Sequence, residues 1–150
     1  MSYLTIYNIK VSIGTEKAGD SWTYSDFGEG IENVAEALNE VVQQYQFISN
    51  GGFATNHVTG AAPAWTLTGR RVLGDAAQDY IFGNKYSFDT ARQSSLKVTY
   101  TDGSGGAAVS KGFTVPCTFC NLQEFSGAST DDSAISMELR FDGKPTPVTQ

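Results

Sequence analysis

The 150-residue chain reads as a mainly β protein with a single short helix. Three observations predict this. Several stretches alternate apolar and polar residues with a period of two, the pattern of half-buried strands. Turn residues (Gly, Asn, Asp, Pro) punctuate those stretches at short intervals. Only Trp65 to Phe82, WTLTGRRVLGDAAQDYIF, combines a strand, a hard turn and a well-signalled helix.

Along the chain, Tyr3 to Ile13 is expected as the first strand, with Tyr7, Ile9, Val11 and Ile13 on one face. Gly14 to Gly19 is expected as a polar turn, and Ser21 to Phe27 as a return strand carrying Trp22, Tyr24 and Phe27. Ile31 to Ile48 fits two readings. Ile31, Val34, Ala35, Leu38, Val41, Val42 and Tyr45 form a helical stripe, whereas Val41, Tyr45 and Phe47 also fit one face of a strand. Ser49 to Pro63, with its Asn50-Gly51-Gly52 turn, is expected as a long loop holding the apolar Phe53.

Trp65 and Leu67 then alternate with Thr66 and Thr68, and Gly69 is expected to interrupt the strand. Gly74 is free to take a positive φ, and Asp75 suits a helix N-cap. The helix is expected over about 75–82, packing Ala76, Tyr80 and Ile81 on the sheet. Leu96, Val98 and Tyr100 mark the next strand, and Asp102 to Gly106 a hairpin turn. Phe113, Val115, Cys117 and Phe119 mark the strand that returns. Ile135, Met137, Leu139 and Phe141 mark the last strand, and 143–150 is expected as a loose tail. A chain of this length suits one domain over 1–150, burying roughly 70% of its unfolded surface.

Composition narrows the function classes. Sixteen Asp and Glu against ten Lys and Arg give a net charge of −6. Such a surface repels phosphates at long range and argues against a nucleic-acid reader. Seven of the acids lie between Glu16 and Glu40, where Lys17 is the only base. Charged residues make up 17%, below the usual ~25%; a low-charge surface hints at self-association. No apolar run reaches the ~18 residues of a membrane span, and MSYLTIYNIKV lacks the pattern of a secretion signal. Cys117 and Cys120, three apart on a strand, point to opposite faces and are expected as free thiols. Such thiols fit assembly in a reducing cytoplasm.

No catalytic constellation emerges. His57 is the only histidine and has no carboxylate spaced to orient it. Asp131 and Asp132 are adjacent on extended chain and point apart. Gly103-Ser104-Gly105-Gly106 precedes a strand rather than a helix, so it is no phosphate loop. Arg70-Arg71 is a small basic spot, expected to pair with Asp75, Asp79 or a neighbouring subunit. No cofactor and no metal cluster are expected.

Three segments taken together carry a resemblance: GGFATNHVTG with AAPAWTLTGRRVLGDAAQDYIF, then SSLKVTYTDG, then CNLQEFSGASTDDSAISMELRFDGKP. In this order and spacing they resemble the major tail (tail tube) proteins of long, non-contractile-tailed bacteriophages, over roughly Ile31 to Pro145. The resemblance implies an antiparallel β-sandwich or barrel with one packed helix. It implies a structural, non-enzymatic role, with six subunits per ring and rings stacked into a hollow tube that conducts viral DNA without gripping it. It also implies tape measure, tail terminator and tip proteins as partners, a place in the virion tail, and assembly in the host bacterial cytoplasm. For 31–48 it favours strands leading to a loop that reaches the adjacent ring. Gly51, Gly52, Phe53, Arg70 and Arg71 then become candidate interface residues, and Glu32, Glu36 and Glu40 candidates to face the lumen. Two alternatives stand beside this reading. One is an inner-tube subunit of a contractile injection system. The other is a secreted carbohydrate-binding β-sandwich using Trp22 or Trp65.

Overall fold

In the computed structural model, which describes residues 3–149, ten strands and one α-helix form the chain. The strands are β1 (Lys10–Ala18), β2 (Ser21–Asp26), β3 (Ile31–Ala37), β4 (Glu40–Gln46), β5 (Ala54–Ala61), β6 (Ala64–Arg70), β7 (Gln93–Asp102), β8 (Val109–Gln123), β9 (Ala134–Phe141) and β10 (Thr146–Thr149). The helix α1 (Ala76–Gly83) lies between β6 and β7. Every strand pairing is antiparallel. The main sheet runs β2-β1-β7-β8-β9-β6-β3, and β10 adds beside β8. β4 and β5 pair only with each other.

Alternation sets the core. Leu67 on β6, Leu96 and Val98 on β7, Val115, Cys117 and Phe119 on β8, and Ile135, Met137 and Leu139 on β9 are buried together. Helix α1 closes over them with Ala77, Ile81 and Phe82. Its start follows local chemistry: Gly74 takes φ +90°, and the Asp75 carboxylate accepts from the Gln78 N–H. Gln78 is fully buried and ties the helix to the end of β6. Its Oε1 accepts from the Val72 N–H at 2.9 Å, and its Nε2 donates to the Arg70 carbonyl at 3.2 Å.

The segment 31–48 is extended, as two strands, against its helical periodicity. β3 pairs with β6 along Ile31–Ala37, and β4 pairs with β5 along Glu40–Gln46. Here β6 and β5 take the backbone hydrogen bonds of the run, and this non-local pairing overrides its helical stripe.

Several expectations are corrected. The first strand starts at Lys10, not Tyr3; Ile6–Asn8 is a 3-10 turn and Tyr7 is exposed. The expected turn at 14–19 is the far half of β1, paired with β2. Gly14 serves packing there, because a Cβ would stand 2.7 Å from the Trp22 ring. The expected loop 49–63 contains strand β5. The expected loose tail 143–150 contains β10, paired to Lys111–Thr114 of β8. Gly69 does not break its strand: it lies within β6, where a Cβ would come 1.8 Å from the Gly30 carbonyl oxygen. The helix buries Ala77 rather than Ala76, which is exposed.

Candidate assembly surface

Three features of the surface stand out: a protruding arm, two sheet edges and an aromatic platform.

The arm continues the β3–β6 hairpin. Past Ala37 the chain crosses Leu38 and Asn39, and the returning strand crosses Ala62 and Pro63. The Ala62 N–H donates to the Leu38 carbonyl at 3.0 Å, and Asn39 Nδ2 donates to the Ala62 carbonyl at 3.0 Å. Asn39 takes φ +49°, which separates β3 from β4. Beyond this joint β4 and β5 pair only with each other and extend about 25 Å at ~3.3 Å per residue. Every residue of both strands is exposed, including Val41, Val42, Tyr45 and Val58. The tip closes through Gly51 (φ +62°) and Gly52 (φ +92°). It presents Phe47, stacked on Tyr45 with ring centres 5.7 Å apart, together with Ile48 and Phe53, all exposed. A two-stranded ribbon that buries no face is marginal in water.

The edges are the outer sides of β2 and β3, the two ends of the main sheet path. An unpaired strand edge offers N–H and C=O groups to another chain.

The platform lies around Glu124, just past β8. Lys85 Nζ reaches Glu124 Oε1 at 2.6 Å, and Arg71 Nε reaches Glu124 Oε2 at 2.8 Å. Arg71 also binds Asp79 at 2.8 Å. Burial pushes the Glu124 pKa up, but the hydrogen bonds and charges of Lys85 and Arg71 outweigh it and hold the pKa below its ordinary value. The clamped Lys85 ammonium lies 4.1 Å from the Phe125 ring centre and 5.1 Å from that of Tyr86. Tyr86 is 82% exposed and Phe125 72%.

The expected site residues divide accordingly. Gly51, Gly52 and Phe53 sit together at the arm tip. Arg70 is half-exposed and pairs with Glu32 at 3.5 Å. Arg71 is not a free contact residue: its guanidinium, 11% exposed, is committed inside its own chain. Glu36 accepts from Trp65 Nε1 at 3.1 Å and stands opposite Trp65 in the ladder, on the core-side face. Glu40 begins β4 opposite Ala61. The three acids therefore do not form one row.

The face opposite the core carries different residues. Asn33, Thr68 and Ser136 form one cross-strand row, and Ala35, Thr66, Glu138 and Cys120 another. Glu138 pairs with Arg140 at 2.5 Å. Across β3, β6 and β9 this face is polar, and its Glu138 is paired with Arg140.

His57 is exposed on β5, and no three His, Cys, Asp or Glu side chains group as metal ligands among the described residues. Cys117 and Cys120 are free, and burial pushes the Cys117 thiol far above its ordinary pKa. Trp65 is buried and Trp22 half-buried, so neither offers the open ring a sugar would stack on. Among the described residues no helix is long and apolar enough to cross a membrane.

Neither a protein-family model nor a curated protein matches the sequence. Solved structures do match in shape. A chain of the native gene transfer agent virion superposes with a TM-score of 0.67 at 7% identity, over 97% of this chain and 99% of that one. A chain from the tail of the empty gene transfer agent particle, refined with C6 symmetry, gives 0.64 at 9% identity, over 96% and 98%. A chain of the tube-terminating cap of the anti-feeding prophage gives 0.60 at 17% identity, over 100% and 93%. The chain has the tail-tube fold. Within that fold the arm, the sheet edges and the platform are the surfaces that distinguish one end of the subunit from the other. The sequence reading sets Gly51, Gly52 and Phe53 in one loop, which the structure puts at the arm tip, and it does not single out Tyr45, Val58, Lys85, Tyr86 or Phe125 as surface residues. The apolar residues of β4 were the signal for Tyr45, whereas nothing local marked Val58 on β5. Nothing local marks the platform, because Lys85 and Glu124 meet across 39 residues.

Proposed function

We propose that this chain is a non-enzymatic structural subunit of a hollow phage-type tail tube. It assembles as hexameric rings that stack into a conduit for viral DNA. The observation that carries the reading is the β4–β5 arm: a tail-tube fold extends a ribbon with exposed apolar side chains whose two strands pair only with each other. Around a ring, the free edges of β2 and β3 pair with neighbouring copies, which removes the edges without open aggregation in the plane. Between rings, a head-to-tail contact produces an open filament.

The polar face around Thr66, Thr68 and Ser136 suits the lumen better than Glu36, which lies on the core-side face and accepts from Trp65, while Glu32 stays exposed beside Arg70. Glu40 remains a lumen candidate. A wall of small polar groups in a subunit of net charge −6 does not grip phosphates, so DNA slides. The tape measure protein would occupy the same lumen before DNA, and terminator and tip proteins would close the two ends. The subunit belongs to the virion tail after assembly in the host cytoplasm.

A second reading is a tube or tube-terminating subunit of a contractile injection system. It is favoured by the likeness to the anti-feeding prophage cap. Electron microscopy of purified protein tests both. Tubes with stacked rings support the first, and single rings that never stack support a terminator. Monomers at high concentration, with or without added tail-tip complexes, would overturn the tube reading.

A further inference from the structure

We infer that the arm tip of one copy docks on the Tyr86–Lys85–Phe125 platform of the next. The inference rests on the tube reading and adds the receptor for the arm. The two surfaces lie at opposite ends of the sheet. The arm leaves at Ala64, opposite Arg140, whereas β6 ends at Arg70, opposite Ala134. Gln123 pairs with Ser136 near that second end, and Glu124 and Phe125 follow it. A chain therefore cannot seat its tip on its own platform, but identical copies in line can, each giving an arm and receiving one.

Size and charge agree. Phe47, Phe53, Tyr86 and Phe125 are all exposed, as is Ile48. Scaled by their exposures of 52%, 78%, 82% and 72%, the four rings at ~150–250 Å² each leave roughly 400–700 Å² to cover, to which Ile48 adds. The tip sequence FISNGGF has no charge. The platform's ammonium is already paired with Glu124, so docking strands no unpaired charge. The same clamp fixes Lys85 before docking, which reduces the ordering required on association.

The test is photo-crosslinking of the full chain with p-benzoylphenylalanine in place of Phe53, mapped by mass spectrometry. Intermolecular links to 85–88 or 124–126 are expected. In parallel, Tyr86→Ser/Phe125→Ser and Phe47→Ser/Ile48→Ser/Phe53→Ser, each checked for folding by circular dichroism, should give rings but at least tenfold fewer tubes. Mixing the two variants should restore one intact contact and yield stacks of two rings only. Tubes whose crosslinks map elsewhere, or a platform variant that stacks like the parent, overturn the pairing and leave the tube reading standing. Absence of rings, tubes and crosslinks overturns both.

Discussion

Arg71 and Glu124 meet at 2.8 Å with 11% and 13% of their side chains exposed, joining the turn after β6 to the loop after β8. With Lys85 and Asp79 they fix the helix end of the subunit. The opposite end carries an arm whose two strands pair only with each other.

Glu124→Gln leaves Lys85 and Arg71 largely withdrawn from water without their shared carboxylate. Removing one member of such a cluster costs about 3 kcal/mol, or roughly 6–12 °C in Tm for a domain of this size. Thermal unfolding by circular dichroism measures it. A change under about 2 °C would show that the cluster contributes little.

The same residue gives a pH dependence. Its folded pKa lies below its ordinary 4.5 because Lys85 and Arg71 outweigh desolvation. Its contribution is therefore fully present above pH 4.5 and is lost as pH falls through the folded value, where the unfolded chain binds the extra proton. Urea midpoints between pH 6 and 3 should fall more steeply in the parent than in Glu124→Gln. Parallel curves would refute the assignment.

Glycine substitutions should split by position. Gly69→Ala drives a Cβ into the Gly30 carbonyl and forces β3 away from β6. The loss should reach or exceed the ~3 kcal/mol upper range for overpacking. Gly83→Ala, in the last turn of α1 with nothing within 4 Å, should stabilise by about 0.5–1 kcal/mol. Equal effects at the two sites would contradict the close approach at Gly69.

Excision of 40–61, with Asn39 joined to Ala62 through Asn-Gly, should leave a plain β3–β6 hairpin. No residue of β4 or β5 belongs to the core, so the unfolding free energy should change by no more than about 1 kcal/mol. Tubes should disappear by negative-stain microscopy while the folded body persists. Tubes from the shortened chain would remove the arm from assembly.

The body of this protein is legible in local patterns of the chain. Alternation in 94–100, 113–119 and 135–141 specifies which side chains turn inward, because a one-residue slip would expose them all. Gly74 and Asp75 start the helix through backbone freedom and a local cap. Tertiary structure alone decided what those local signals leave open. The run 31–48 has a helical stripe, yet β6 and β5 stand alongside it and take its backbone hydrogen bonds. Gly14 and Gly69 read as breaks, yet each is a strand residue whose missing Cβ admits a neighbour. Glu36 reads as a surface acid, yet it meets a tryptophan 29 residues away. Local patterns record which face is apolar and where the chain can turn; partners distant in sequence leave no such trace, and only the folded arrangement brings them within bonding distance.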